Sequence, residues 1–286
     1  MQPTAKGAPP AMNPTTVWAA YFSATDTTKQ VVTQIARRLA SQTGCPLETF
    51  DFTRPQARKE PKAFAPGDLV VFGTPVYAGR VPNLLIQYVA SVQGNGALAV
   101  PVVCYGNRAY DDALMELRNT LAAGGFHPIA AAAFSCQHAF SDTQNAGRPD
   151  ISDLTIAAGF ADQVRHKISA LAAPEDCSPV FVKGNDPVGP YYTPRDRHGN
   201  PINILKVKPK TDMSKCGGCG WCAAHCPMGS IDPTDVSQVN GVCIKCCACV
   251  KGCPTGAKYF DDPGYLYHKS ELEEVYARPA KNEVFL

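Results

Sequence analysis

The chain has 286 residues, with 27 Lys and Arg against 25 Asp and Glu and a formal net charge of +2. So even a balance excludes a chain-wide nucleic-acid or membrane-surface footprint, and the length favours more than one domain. No apolar run reaches membrane-spanning length, and MQPTAKGAPPAMNP lacks the apolar core of a secretory signal. Residues 1–14 therefore read as a flexible Ala/Pro-rich leader, and the cytoplasm is the expected compartment.

Residues 15–173 alternate short apolar runs with helical patterns. TVWAAYF (15–21) is the first strand. TKQVVTQIARRLA (28–40) places Val31, Val32, Ile35, Ala36 and Leu39 on one helical face, with Gly44 and Pro46 as stop signals. LETFDF (47–52) reads as an edge strand, and DLVVFG (68–73) as a buried one. VPNLLIQYVASV (81–92) is a helix with Pro82 in its first turn. ALAVPVVCYG (97–106) is a strand, DDALMELRNTLAAGG (111–125) a helix, FHPIAAAAFS (126–135) a weaker strand, and 149–173 a helix with an Asp/Ser start. Strands that are apolar throughout belong to a parallel sheet covered on both faces. The expected fold is α/β, a doubly wound five-stranded parallel sheet whose ligand site lies at the carboxyl ends of the strands.

The later chain divides into a strap (174–210) rich in Pro, Gly, Asn and basic residues, a cysteine-rich unit (211–260), and a tail (261–286) with an acidic helical turn, ELEEVYA. A hairpin is expected at HGN in the strap. Residues 183–215 carry seven Lys/Arg against three Asp/Glu. That excess suits docking of an acidic redox partner, or simply a solvated linker.

Thirteen cysteines in a reducing compartment point to a metal framework rather than disulfides. Four are scattered at 45, 104, 136 and 177; the other nine fall between 216 and 253. Cys216, Cys219, Cys222 and Cys226-Pro227 form C-x2-C-x2-C-x3-C-P. Cys243, Cys246, Cys249 and Cys253-Pro254 repeat it. In such runs the first three thiolates wrap one cubane and the fourth is carried to the neighbouring one. Cys243, Cys246, Cys249 and Cys226 are thus expected to hold one [4Fe–4S] cluster, and Cys216, Cys219, Cys222 and Cys253 the other. Cys247 is off register and reads as a bystander thiol. Zinc also takes CxxC pairs, but it closes with four ligands and does not explain two interlocked runs. Trp221, His225, Lys245 and Lys251 stand among the ligands, either tuning potentials or merely covering the clusters. The unit resembles bacterial dicluster ferredoxins, which implies a small α+β fold with two antiparallel hairpins and two short helices.

Three loops follow predicted strands of the first domain. Ser23, Thr25, Thr27 and Thr28 lead into a helix, where hydroxyls and free N–H groups suit a phosphate. Neither a GxGxxG fingerprint nor a P-loop is present. GTPVYAGRVP (73–82) and YGNRAYDDA (105–113) each put a tyrosine at a strand end. Together the loops resemble the FMN site of flavodoxins. Over residues 15–260 the chain resembles bacterial proteins that fuse a flavodoxin-like domain to a dicluster ferredoxin domain. The resemblance implies that Ser23, Thr25, Thr27 and Thr28 cradle the FMN phosphate. Thr74, Pro75, Val76, Tyr77 and Ala78 would line one side of the isoalloxazine; Tyr105, Gly106, Asn107, Arg108 and Tyr110 would line the other. The sequence departs from the family at Asp26 and Ala24, where flavodoxin loops carry glycine. A carboxylate beside a phosphate dianion requires Asp26 to point outward.

Three functions follow. The first is an electron-transfer protein passing single electrons between an external donor, two [4Fe–4S] clusters and FMN, its partner a ferredoxin-like protein or a reductase. The second is an FMN-dependent reductase of a small organic substrate fed by the clusters, with Tyr110, Asp111 and His138 as proton-donor candidates. The third is an FMN-free docking or sensing module. His138, Phe140 and Ser141, in the polar loop 135–149, stand at the same sheet edge and are candidates for touching a substrate or partner.

Overall fold

The computed structural model describes residues 12–286. Most of the Ala/Pro-rich leader lies outside them. Its last residues are pinned: the Met12 N–H donates to the Leu171 carbonyl (3.1 Å), and Met12 packs on the core.

The first domain comprises β1 (Thr16–Tyr21), α1 (Thr27–Thr43), β2 (Leu47–Asp51), β3 (Asp68–Pro75), α2 (Ile86–Ser91), β4 (Leu98–Tyr105), α3 (Ala113–Ala123), β5 (His127–Pro128), β6 (Ala131–Ser135) and α4 (Ile151–Ser169). The parallel strands lie in the order β2-β1-β3-β4-β6, with β5 also on β4. That is the 2-1-3-4-5 order of flavodoxin-like sheets. Residues alternate across β1. Val17, Ala19 and Tyr21 join the core under α1 and α4; Trp18 and Ala20 join the one under α2 and α3. Both faces are covered, so β3 is buried from Asp68 to Thr74 and β4 along its whole length.

Two expected elements differ in extent. The strand at 126–135 is divided by a one-residue shift of register against β4, from the Leu98–His127 and Ala99–Pro128 pairs to the Val102–Ala132 pair. In the 81–92 segment only Ile86–Ser91 is regular helix. The N–H groups of Leu85 and Ile86 both turn back onto the Pro82 carbonyl (2.8 and 3.1 Å), so the segment begins as a tight turn.

The remaining elements are β7 (Lys210–Thr211), α5 (Trp221–Ala224), α6 (Ala248–Lys251), β8 (Lys258–Tyr259), α7 (Pro263–Val275) and β9 (Glu283–Phe285). β7 and β8 pair antiparallel, Ile231 and Val239 form a second antiparallel bridge, and the two short helices pack between them. This is the small α+β unit expected. The tail does more than the acidic turn implied. Its helix runs thirteen residues, and β9 adds antiparallel to β6 at the edge of the large sheet. The strap is likewise no free linker. Val180 and Val182 are buried in the core, and the carboxylate of Asp112 accepts from Asn185 N–H (2.8 Å) and Gly189 N–H (2.7 Å). The expected turn at HGN is present, closed by the Arg195–Pro201 bridge.

Arg54 and Arg58, just after β2, tie the two units together. Arg58 donates to the carbonyls of Phe52, Thr53 and, across the interface, Pro227, each at 2.6 Å. Arg54 donates to the Ala224 carbonyl. Lys251 reaches the Ser141 carbonyl (2.8 Å) from the other side. Among the described residues no helix is long and apolar enough to cross a membrane.

Candidate functional site

A cavity of about 910 Å³ opens at the carboxyl ends of β1, β3 and β4, where an open α/β sheet places its ligands. Thr25, Thr27 and Thr28 line its floor at the start of α1. Ser23 does not line it. The Ser23 hydroxyl accepts from Lys29 N–H (3.0 Å), and Ser23 N–H donates to the Thr53 hydroxyl (2.8 Å), so this serine shapes the loop. Asp26 takes the left-handed conformation (φ 63°), which glycine adopts most freely. Asp and Asn tolerate that region better than most residues. Its carboxylate is exposed, 3.6 Å from Lys29 Nζ, and outside the cavity lining. It points outward, as a phosphate in this loop requires.

Pro75, Val76, Tyr77 and Ala78 form one wall, and Tyr105, Gly106 and Arg108 the other. Between Tyr77 and Arg80 the chain makes a paired turn (3.0 and 3.2 Å) with Ala78 and Gly79 at positive φ. Burial pushes the Tyr77 phenol well above its ordinary pKa, with Cys246, Cys247 and Cys243 close beside it. Three expected residues do other work. Thr74 is fully buried beneath the loop. Asn107 accepts from Ala280 N–H (2.7 Å) and donates to the carbonyls of Tyr276 and Arg278. Tyr110 donates to the Glu283 carboxylate. Asn107 and Tyr110 therefore anchor the tail. Tyr105 does both, lining the cavity while its hydroxyl donates to the Lys281 carbonyl (2.8 Å).

The cysteines of the second unit gather around a small separate space lined by Cys226, Cys243, Cys246, Cys247 and Cys249. The fourth cysteine of the first run thus stands with the first three of the second. Cys253 is correspondingly close to Cys222 of the other set. Among the described residues no three His, Cys, Asp or Glu side chains converge as ligands of a single ion would. Backbone N–H groups already point at the sulfurs: Ser230 to Cys226 (3.3 Å), Lys245 to Cys243 (3.4 Å) and Ala257 to Cys253 (3.2 Å). Burial alone would raise the Cys253 thiol. Hydrogen bonds from the Thr255 hydroxyl and from the backbone of Thr255, Lys258 and Ala257 outweigh it and bring the pKa down to about 7. A soft donor set with N–H groups aimed at sulfur fits iron–sulfur ligation.

The two runs superpose in conformation. Gly218 and Gly220 are left-handed in the first; Lys245 and Cys247 hold the equivalent places in the second (φ 56° and 59°). Cys247 therefore serves a backbone position at the start of α6. Its Sγ lies 3.3 Å from the Tyr265 hydroxyl, packed with Phe260 and Tyr265. Trp221 stacks on His225 at 3.9 Å and 4°, and its ring lies across Gly252. These two cover the cysteine unit.

Several wall residues carry no motif. Tyr191 and Tyr192 cross the cavity from the strap, with Tyr191 donating to the Val81 carbonyl (2.9 Å) and Tyr192 N–H to the Ala78 carbonyl (2.8 Å). His268 and Leu272 of α7 close the far side. Two adjacent tyrosines in an otherwise polar strap were the one signal available. His138 and Phe140 do line the cavity, whereas Ser141 is buried and donates to Glu273 (2.5 Å).

Residues 209–232 match the family of 4Fe-4S binding domains, a span that contains the first cysteine run. A comparison with curated proteins finds no match. Among solved structures the chain is similar to a flavodoxin from the domain Archaea (15% identity, covering 54% of this chain and 98% of that one, TM-score 0.36). It is also similar to a Streptococcus pneumoniae TIGR4 flavodoxin (15%, 53% and 99%, 0.37) and to oxidised flavodoxin 1 from Bacillus cereus (15%, 55% and 99%, 0.39). The chain joins a flavodoxin-like α/β domain, defined by its strand order, to a 4Fe-4S binding segment.

Proposed function

We propose that the protein is an electron-transfer flavo-iron–sulfur protein that moves single electrons between an external redox partner, two [4Fe–4S] clusters and FMN. One observation carries this. Cys243 and its neighbours Val242 and Ile244 line both the cysteine-lined space and the large cavity, so one short segment separates the two sites. When bound, the clusters supply one-electron steps and the flavin holds one or two electrons.

The residues have distinct parts. Thr25, Thr27, Thr28 and the free N–H groups of the first turn of α1 hold a phosphate. The 75–78 and 105–108 loops flank a planar ring. Tyr191 and Tyr192 exclude water from above. Cys226, Cys243, Cys246 and Cys249 hold the inner cluster. Cys216, Cys219, Cys222 and Cys253 hold the outer one, where Cys219 is exposed and an external ferredoxin-like protein or reductase exchanges electrons. The outward carboxylate of Asp26 removes the sequence-level reason for an FMN-free docking module.

The test is anaerobic purification with iron, acid-labile sulfide and released flavin counted. About eight iron and one FMN per chain are expected. Full iron with no flavin, even after FMN is added, would remove the flavin leg. A second reading, an FMN-dependent reductase of a small organic substrate, is favoured by the cavity's extension well past the flavin loops, to the strap and α7.

A further inference from the structure

The cavity has two halves of different origin. The inner half belongs to the strand-end loops. The outer half is walled by Tyr192, Ile202, Ile204 and Leu205 of the strap and by His268 and Leu272 of α7. At 910 Å³ the whole lies near the top of the range of about 300–1,000 Å³ typical of ligand pockets.

Its charged lining groups are two cations, Arg108 and Lys245, joined by two histidines, and Lys245 Nζ is turned to the carbonyls of Cys243 and Leu205 (3.0 and 3.2 Å). His268 is 6% exposed, and its Nδ1 is buried with no hydrogen-bond partner among the described residues. An unpartnered buried imidazole nitrogen costs stability, which makes the ring a poor purely structural filler. His138 has a defined tautomer. Its Nδ1 accepts from Phe140 N–H (3.1 Å), so the proton sits on Nε2 and a donor is left over. The ring lies flat on the flavin wall: a Cβ at Gly106 would come within 2.3 Å of His138 Cδ2. Burial lowers the His138 pKa to about 3 and that of His268 to about 4, so both are neutral at pH 7. Arg108 is likewise engaged. Its guanidinium sits 4.0 Å over the Tyr192 ring and pairs with Asp111, so it does not call for an anion. Tyr192 and Phe140 flank His268 at ring distances of 6.2 and 6.3 Å.

We infer that the outer half of this cavity binds a second ligand, a planar uncharged carbonyl compound, whose oxygen accepts hydrogen bonds from the neutral imidazoles of His138 and His268. Flat aromatic and aliphatic walls select the ring. With Arg108 paired to Asp111 and Lys245 turned to backbone carbonyls, the donors left for a ligand are neutral imidazoles, which suit a carbonyl oxygen. The inference rests on the inner half being the flavin site.

Coumarin serves as the probe, being planar and uncharged with a single carbonyl acceptor. Equilibrium dialysis against anaerobic, oxidised holoprotein, with flavin and iron counted on the same sample, should show saturable binding of about one per chain. Loss of one hydrogen bond in His268→Leu should weaken binding about tenfold. His268→Gln, which keeps a donor, should stay within about threefold. His138→Leu should also weaken binding. Absence of saturable binding to flavin-loaded protein would overturn the inference and leave the flavin assignment standing. Binding equal in wild type and both leucine variants would overturn it too, as would coumarin that binds only flavin-free protein. If the protein takes up no flavin, that assignment falls separately.

Discussion

Gly252 is where packing between the two cysteine runs is most tightly set. Its φ of −92° is ordinary, so the demand is for space and not for backbone freedom. A Cβ there would lie 1.8 Å from Trp221 Cη2, 2.1 Å from Cζ3 and 2.6 Å from Cζ2. Carbon atoms pack at about 3.5–4.0 Å, so the indole would have to move by about 1.7 Å. It is not free to do so: it stacks on His225, whose Nδ1 lies 2.8 Å from the Trp221 carbonyl. Overpacking of this kind costs about 1–3 kcal/mol. The strain falls between Cys222, next to Trp221, and Cys253, next to Gly252, both assigned to the outer cluster. Gly252→Ala should therefore lower anaerobic iron from about eight to about four per chain, with flavin content unchanged. Gly217→Ala is the control. Its Cβ would meet nothing nearer than Thr255 Cγ2 at 4.0 Å, so iron should stay at the wild-type level. A Gly252→Ala protein that keeps full iron and melts with wild type would refute the argument.

Other expectations concern single side chains. Cys247→Ser should keep about eight iron because this sulfur faces Tyr265, whereas Cys246→Ser should lose the inner cluster; iron counts decide. Arg58→Ala removes three short hydrogen bonds, one of them across the interface, and should cost ~3 kcal/mol; a single unchanged thermal transition would contradict this. Asp26→Gly should change FMN affinity by less than about threefold in a fluorescence titration, since the carboxylate lies outside the cavity. A tenfold tightening, about 1.4 kcal/mol, would mean that it faces the phosphate. His268 is held neutral, its pKa lowered to about 4 by burial and by Arg108, against about 6.5 in the unfolded chain. As pH falls the unfolded chain takes up this proton first, so stability present above about 6.5 is lost down to about 4. At pH 5 the loss is about 2 kcal/mol, and His138 adds in the same direction. Urea midpoints at pH 7 and 5 should show it, and His268→Gln should reduce the difference.

Much of this molecule is legible in the linear chain because its signals are local. Residues 69–72 of β3 and all of β4 are apolar because both faces of the sheet are covered, and that needs no knowledge of what covers them. The two cysteine runs stand out because their spacings of three and four residues are a local pattern. The threonines at 25, 27 and 28 were visible because a helix start is itself a local event. What was not legible is what the strap and tail do. Their apolar content is too sparse to form a periodic pattern, so Val180, Tyr191, Tyr192 and His268 look like solvated residues until the sheet supplies the surface they cover. Asn107 and Tyr110 were assigned to the flavin because they stand in the right loop. Only tertiary structure shows them turned to carbonyls and a carboxylate some 170 residues away. Such long-range partners leave no local trace, since a hydrogen bond between distant segments constrains neither spacing nor periodicity. The chemistry was written in short runs of sequence. The closure of the cavity and its closeness to the cysteine-lined space were decided by how the later third of the chain folds back over the first domain.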